Sequence, residues 1–70
     1  MLYLVTQKGK ERRIMAKFED SEVTTAVDMA SDLVKKNSVS CMIYLGNSNG
    51  GKPLLLKKVG KDWRGKVKVI

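Results

Sequence analysis

The spacing that first suggests chemistry is G-x-x-x-x-G-K, which runs from Gly46 to Lys52. In a phosphate-binding loop of that spacing the backbone N–H groups close around the phosphates, a hydroxyl after the Lys takes Mg²⁺, and a helix N-terminus follows. Here Pro53 stands where the hydroxyl belongs, and Leu54-Leu55-Leu56 continue as a β-prone run. The stretch therefore reads as a hairpin turn made of Gly and Asn, residues that tolerate left-handed backbone. Asp28 and Asp32 are four apart, as paired carboxylates on a helix would be, yet they share its polar side and meet solvent. Cys41 is the single cysteine, the chain has no His to activate it, and it falls on the inner side of a strand, which suits a buried structural thiol. One Cys and scattered carboxylates also lack the spacing of a zinc site. The expectation is a protein without catalytic residues, metal or cofactor.

Charge is the stronger signal. The 14 Lys and Arg outnumber the 7 Asp and Glu, for a net +7 and an isoelectric point near 9.8. Residues 1–18 carry five basic and one acidic side chain, residues 19–37 two and five, and residues 38–70 seven and one. The acidic segment is helical in pattern and the basic ones are strand-like, so a helix laid on a sheet would polarise the field across the molecule. Arg12, Arg13, Lys17, Lys57, Lys58, Arg64, Lys66 and Lys68 are the candidate phosphate contacts, with Lys61 beside them and Tyr44 or Trp63 for base stacking. No RNA-binding or helix-turn-helix signature accompanies them. A solvated cationic surface that keeps a small protein soluble would carry the same charges.

The elements that must position these residues follow from periodicity. Val23, Ala26, Val27, Ala30, Leu33 and Val34 share one helical face between Ser21 and Asn37. Asp20 or Ser21 suits the N-cap, Glu22 the first turn, Lys35 and Lys36 the last, and Asn37 the stop. Asp32 and Lys36 form a favourable i,i+4 pair. Met1–Gln7 and Arg12–Phe18 read as a hairpin about Lys8-Gly9-Lys10, and Val39–Leu45, Leu54–Val59 and Lys66–Ile70 as three further strands. Gly60-Lys61-Asp62 reads as the last turn, with Trp63 anchoring it against the core. The predicted inner set is Ile14, Ala16, Phe18, Val39, Cys41, Ile43, Leu45, Leu54, Leu56, Val67 and Val69. Met15, Met42, Tyr44 and Leu55 fall on the outer side among Lys17, Lys57, Lys66 and Lys68, an apolar patch on a basic face.

These elements define an α+β fold: residues 1–70 form a single domain in which one helix packs on a small, mainly antiparallel sheet of three to five strands. A chain of 70 residues buries a modest core, and without a disulfide or metal the simplest staple is a second copy. A homodimer is expected, with Met15, Met42, Tyr44 and Leu55 as its patch. Leu2–Val5 is too short for a signal core or membrane span, and the lone thiol suits a reducing cytoplasm.

From MLYLVTQKGKERR through SEVTTAVDMASDLVKKN to the closing KVKVI, the chain resembles the Yopt family, small proteins of Bacillus and its prophages with no assigned activity. The resemblance implies a homodimer of α+β subunits, each with one helix and about three strands, and supplies no functional residues. Two functional expectations result. The first is a prophage-encoded homodimer that binds a host protein. The alternative is a nucleic-acid-binding protein that uses its basic sheet face.

Overall fold

The computed structural model describes residues 1–46 and 50–70. Strands β1 (Leu2–Lys8) and β2 (Glu11–Phe18), helix α1 (Val23–Asn37), and strands β3 (Ser40–Leu45), β4 (Leu54–Lys61) and β5 (Val67–Val69) follow in that order. All four strand pairings are antiparallel, and the sheet order is β2-β1-β3-β4-β5. The fold is thus α+β, with one helix packed on a five-stranded sheet. Five strands stand where the family resemblance implied about three.

Periodicity places the helix correctly. Ala26, Ala30 and Val34 are fully buried, and Val23, Val27 and Leu33 pack around them. The small side chains of Ala26 and Ala30 let the backbone come close to the sheet, where Leu2, Leu4, Cys41, Ile43 and Val59 complete the core. The N-terminus differs from the expected cap. Glu22 occupies the N-cap position without a side-chain bond to the helix, and its Oε1 instead accepts the Glu19 N–H at 3.3 Å. Asp20 is drawn away to pair with the Met1 ammonium. At the other end Ser38 takes the left-handed conformation (φ 52°) directly after Asn37, with Lys35 and Lys36 in the last turn.

The helix lies over β3 and β4, touches β1 and β5, and leaves most of β2 uncovered. Strand β1 lies inside the sheet, paired on both edges, which explains its unbroken apolar run: Leu2 and Leu4 face the helix while Tyr3 and Val5 face away. The expected core omitted Leu2, Leu4 and Val59 because a run without alternation declares no inner side.

Three expected core residues are exposed. Leu4 pairs with Ala16 and Val5 with Ile14, so Met15 is the extra residue of a bulge and the alternation of β2 inverts there. Ile14 turns to the open face and is 62% exposed. Leu54, first residue of β4, and Val69, on the edge strand, are exposed as well.

The last hairpin turn sits two residues later than Gly60-Lys61-Asp62. Gly60 and Lys61 continue β4, paired with Lys68 and Val67. The turn runs from Asp62 to Lys66, a three-residue loop ending on Gly65 at φ +80°, a backbone position at which a side chain would be strained. Trp63 is at its tip, 87% exposed, and anchors nothing. The turn expected over Gly46–Gly51, together with the G-x-x-x-x-G-K stretch, falls partly on residues 47–49, outside the described residues.

Candidate nucleic-acid interface

The sheet face opposite the helix is uncovered by any described residue, and cross-strand register arranges it in three rows. The first runs Lys17, Tyr3, Tyr44, Leu55. The second runs Ile14, Val5, Met42, Lys58 and Ile70, the last two joined by a pair of backbone bonds at 3.2 and 2.8 Å. The third runs Arg12, Gln7, Ser40, then Gly60 and Lys68. The centre is aromatic and apolar, four cationic side chains stand around it, and no side-chain carboxylate occurs in these rows.

The two tyrosines form a direct cross-strand pair on β1 and β3. Tyr44 lies along the sheet, its Oη donating to the Met42 Sδ at 3.4 Å, which leaves Met42 only 5% exposed on this otherwise open face. Tyr3 is held by the main chain beside it. A Cβ on Gly46 would approach the Tyr3 Cε2 to 2.7 Å, so only glycine lets the ring lie there, and the Gly46 N–H donates to the Met1 carbonyl at 2.9 Å. Lys17 Nζ stands 5.7 Å from the Tyr3 ring centroid. Tyr3, Val5, Arg12, Ile14, Tyr44, Gly46 and Pro53 enclose a shallow depression of about 530 Å³ on this face.

Of the expected phosphate contacts, the structure gathers Arg12, Lys17, Lys58 and Lys68 on the open face. Arg13 and Lys57 belong to the helix side, in register with Thr6 and Ile43. The bulge between Ile43 and Tyr44 of the β3–β4 pairing inserts Leu56 and reverses the expected order of the two lysines, so that Lys58, not Lys57, points away from the helix. Arg64 and Lys66 stand at the β4–β5 turn, where the Arg64 guanidinium covers the Trp63 ring at 4.6 Å.

The expected dimer patch also divides. Met42, Tyr44 and Leu55 share the open face, but Met15 is displaced by the bulge to the helix side. There it lines a notch of about 360 Å³ with Arg13, Leu33 and Val39. The sequence reading missed Tyr3: one residue from each of Leu2 and Leu4, it must face the other way once those leucines are in the core.

The remaining reactive groups are placed as their types suggest. Cys41 is fully buried beneath the helix, and burial pushes its thiol above the ordinary range. Asp28 and Asp32 are exposed on the outer side of α1. Among the described residues no three His, Cys, Asp or Glu side chains gather as a metal site would require, and no helix is long and apolar enough to cross a membrane. Comparison of the chain with protein-family models, with curated proteins and with solved structures finds no match in any of the three.

Proposed function

We propose that the protein binds single-stranded nucleic acid on its open sheet face. The observation that carries this reading is the Tyr3–Tyr44 pair at the centre of a face framed by Arg12, Lys17, Lys58 and Lys68. Flat aromatic rings on a sheet accept unpaired bases by stacking, worth about 1–3 kcal/mol per base, and surrounding cations gain affinity by releasing counterions from the phosphates. A duplex hides its base faces and would meet only the cations. Charge sign also weighs against self-association through this face, since two copies packed face to face would oppose cation to cation. In a reducing cytoplasm the Cys41 thiol beneath the sheet would stay reduced and leave the face undisturbed.

The test is anisotropy of end-labelled oligo-dT and oligo-U, 15 nucleotides long, at 50 mM salt, against a duplex of equal length. Micromolar or tighter binding of a single strand, weakened about tenfold by Tyr44→Leu, supports the reading; Leu keeps the apolar area and removes the ring. Absence of single-strand binding at that salt refutes it.

A second reading is a prophage-encoded homodimer that binds a host protein, supported by exposed Leu55 and Ile14 beside the tyrosines. Light scattering at micromolar concentration separates the two states, a mass of 7.8 kDa being that of the monomer. A monomer mass sinks the homodimer.

A further inference from the structure

Among the described residues, Trp63 is the one large apolar side chain that the fold pushes almost wholly into water, at 87% exposure. The loop carrying it is nevertheless tightly built. The Asp62 Oδ1 accepts the N–H groups of Arg64 and Lys66 at 2.8 and 2.9 Å, and the Asp62 N–H donates to the Lys66 carbonyl at 2.8 Å. The Gly65 N–H closes the turn on the Asp62 carbonyl at 3.0 Å. The only carboxylate at the tip is thus engaged by the loop's own N–H groups, while Lys61, Arg64 and Lys66 leave the tip cationic. The Arg64 guanidinium, 4.6 Å from the ring centroid, backs one face of the indole. Fixing an aromatic in a rigid loop lowers the entropy lost when a partner stacks on it.

We propose that Trp63 is a second stacking point for the same single strand, receiving an unpaired base on the ring face that Arg64 leaves free. This rests on the reading of the open face as a nucleic-acid surface. The two places are joined by one strand: Tyr44 pairs with Leu55 of β4, and Trp63 follows Leu55 by eight residues along that same hairpin. At about 3.3 Å per residue the separation is about 26 Å, which a stacked strand crosses in about eight nucleotides at about 3.4 Å each. Lys58 and Lys68 lie between. A membrane surface suits the tip less well, because interfacial anchoring needs a broad apolar face and Trp63 has only charged and glycine neighbours.

Trp63 is the only tryptophan of the chain, so its emission reports on the tip alone. Oligo-dT and oligo-U of 5 and 15 nucleotides are titrated while emission and end-label anisotropy are followed. The expected result is that a 15-mer quenches Trp63 and that Trp63→Ala weakens its binding about tenfold. Trp63→Phe should restore most of that loss, and 5-mer binding should be the same with and without the indole. Because the side chain is exposed, removing it leaves the fold intact. If 15-mers bind but Trp63→Ala binds as tightly, the second stacking point is refuted and the open-face reading stands. If no 15-mer binds at 50 mM salt, both fall. If phosphatidylglycerol vesicles shift the emission to the blue while 15-mers leave it unchanged, the tip serves a lipid surface and the proposal is overturned.

Discussion

Ile14 stands directly across from Val5 on the open face, whereas the neighbouring pair, Ala16 and Leu4, faces the helix. A single bulge at Met15 produces this inversion and delivers an apolar side chain to the edge of the tyrosine pair. It also removes Met15 from that face and sets it beside Leu33. A one-residue step in β2 therefore decides which residues line the candidate interface.

The inversion has a stability signature. Ile14→Ser should change unfolding free energy by no more than about 0.5 kcal/mol, as for other exposed sites. Leu4→Ala removes fully buried methyl groups and should cost about 2–5 kcal/mol, a large share of the 5–15 kcal/mol typical of a whole domain. Urea melts of both variants decide. An Ile14→Ser loss as large as that of Leu4→Ala would place Ile14 in the core.

Gly46→Ala tests the seat of Tyr3. The added methyl meets the ring at 2.7 Å, and the ring is the movable party. The fold should survive with a loss of about 1–3 kcal/mol, while the Tyr3 ring resonances shift and oligonucleotide affinity falls. Unchanged ring resonances would show that the ring does not rest on Gly46.

Cys41 gives a pH dependence. Burial raises the folded-state pKa of its thiol, so the folded chain holds this proton to higher pH than the unfolded one. Stability from this group is complete below the unfolded thiol value, about 8.5, and is lost as pH rises past it, because the unfolded state then ionises first. Cys41→Ala should flatten the alkaline limb of stability against pH above the unfolded thiol value. In the unmodified chain, iodoacetamide should label Cys41 only at the rate of opening. Rapid labelling under native conditions would contradict its burial.

Much of this arrangement is legible in the residues. The i, i+3, i+4 run from Val23 to Val34 names the buried helix face, and Gly9, between two β-prone runs, marks the first hairpin. Alternation assigns Ala16, Phe18, Cys41 and Ile43 to the helix side correctly. It fails where physics beyond alternation intervenes. Bulges at Met15 and Leu56 shift the period by one without any Gly or Pro to mark them. Strand β1 hides its own facing because Leu2, Tyr3, Leu4 and Val5, inner and outer alike, form one apolar run. At Asp62 the side chain closes the turn by accepting two backbone N–H groups, which outweighs the earlier Gly60 as a turn signal. The basic open face was foreseeable in charge, and its membership was not, since Lys57 and Lys58 exchange sides at a bulge.

That exchange yields the last prediction. Arg12, Lys17, Lys58 and Lys68 offer about four phosphate contacts, so log affinity for a single strand should fall against log salt with a slope of about −3. Raising salt from 50 to 200 mM should weaken binding roughly fiftyfold. Lys58→Glu removes one contact and opposes its neighbours, so the slope should shrink by about one and affinity should fall at low salt. Lys57→Glu makes the same change of net charge one residue away, on the helix side, and should leave the slope nearly unchanged. Both side chains are exposed, so neither reversal should alter the melting midpoint much. Measured together, the pair separates a contact from a general field, because net charge alone predicts equal losses. Equal losses would show that the open face has no special part in binding; a loss confined to Lys58→Glu would show that binding takes place on it.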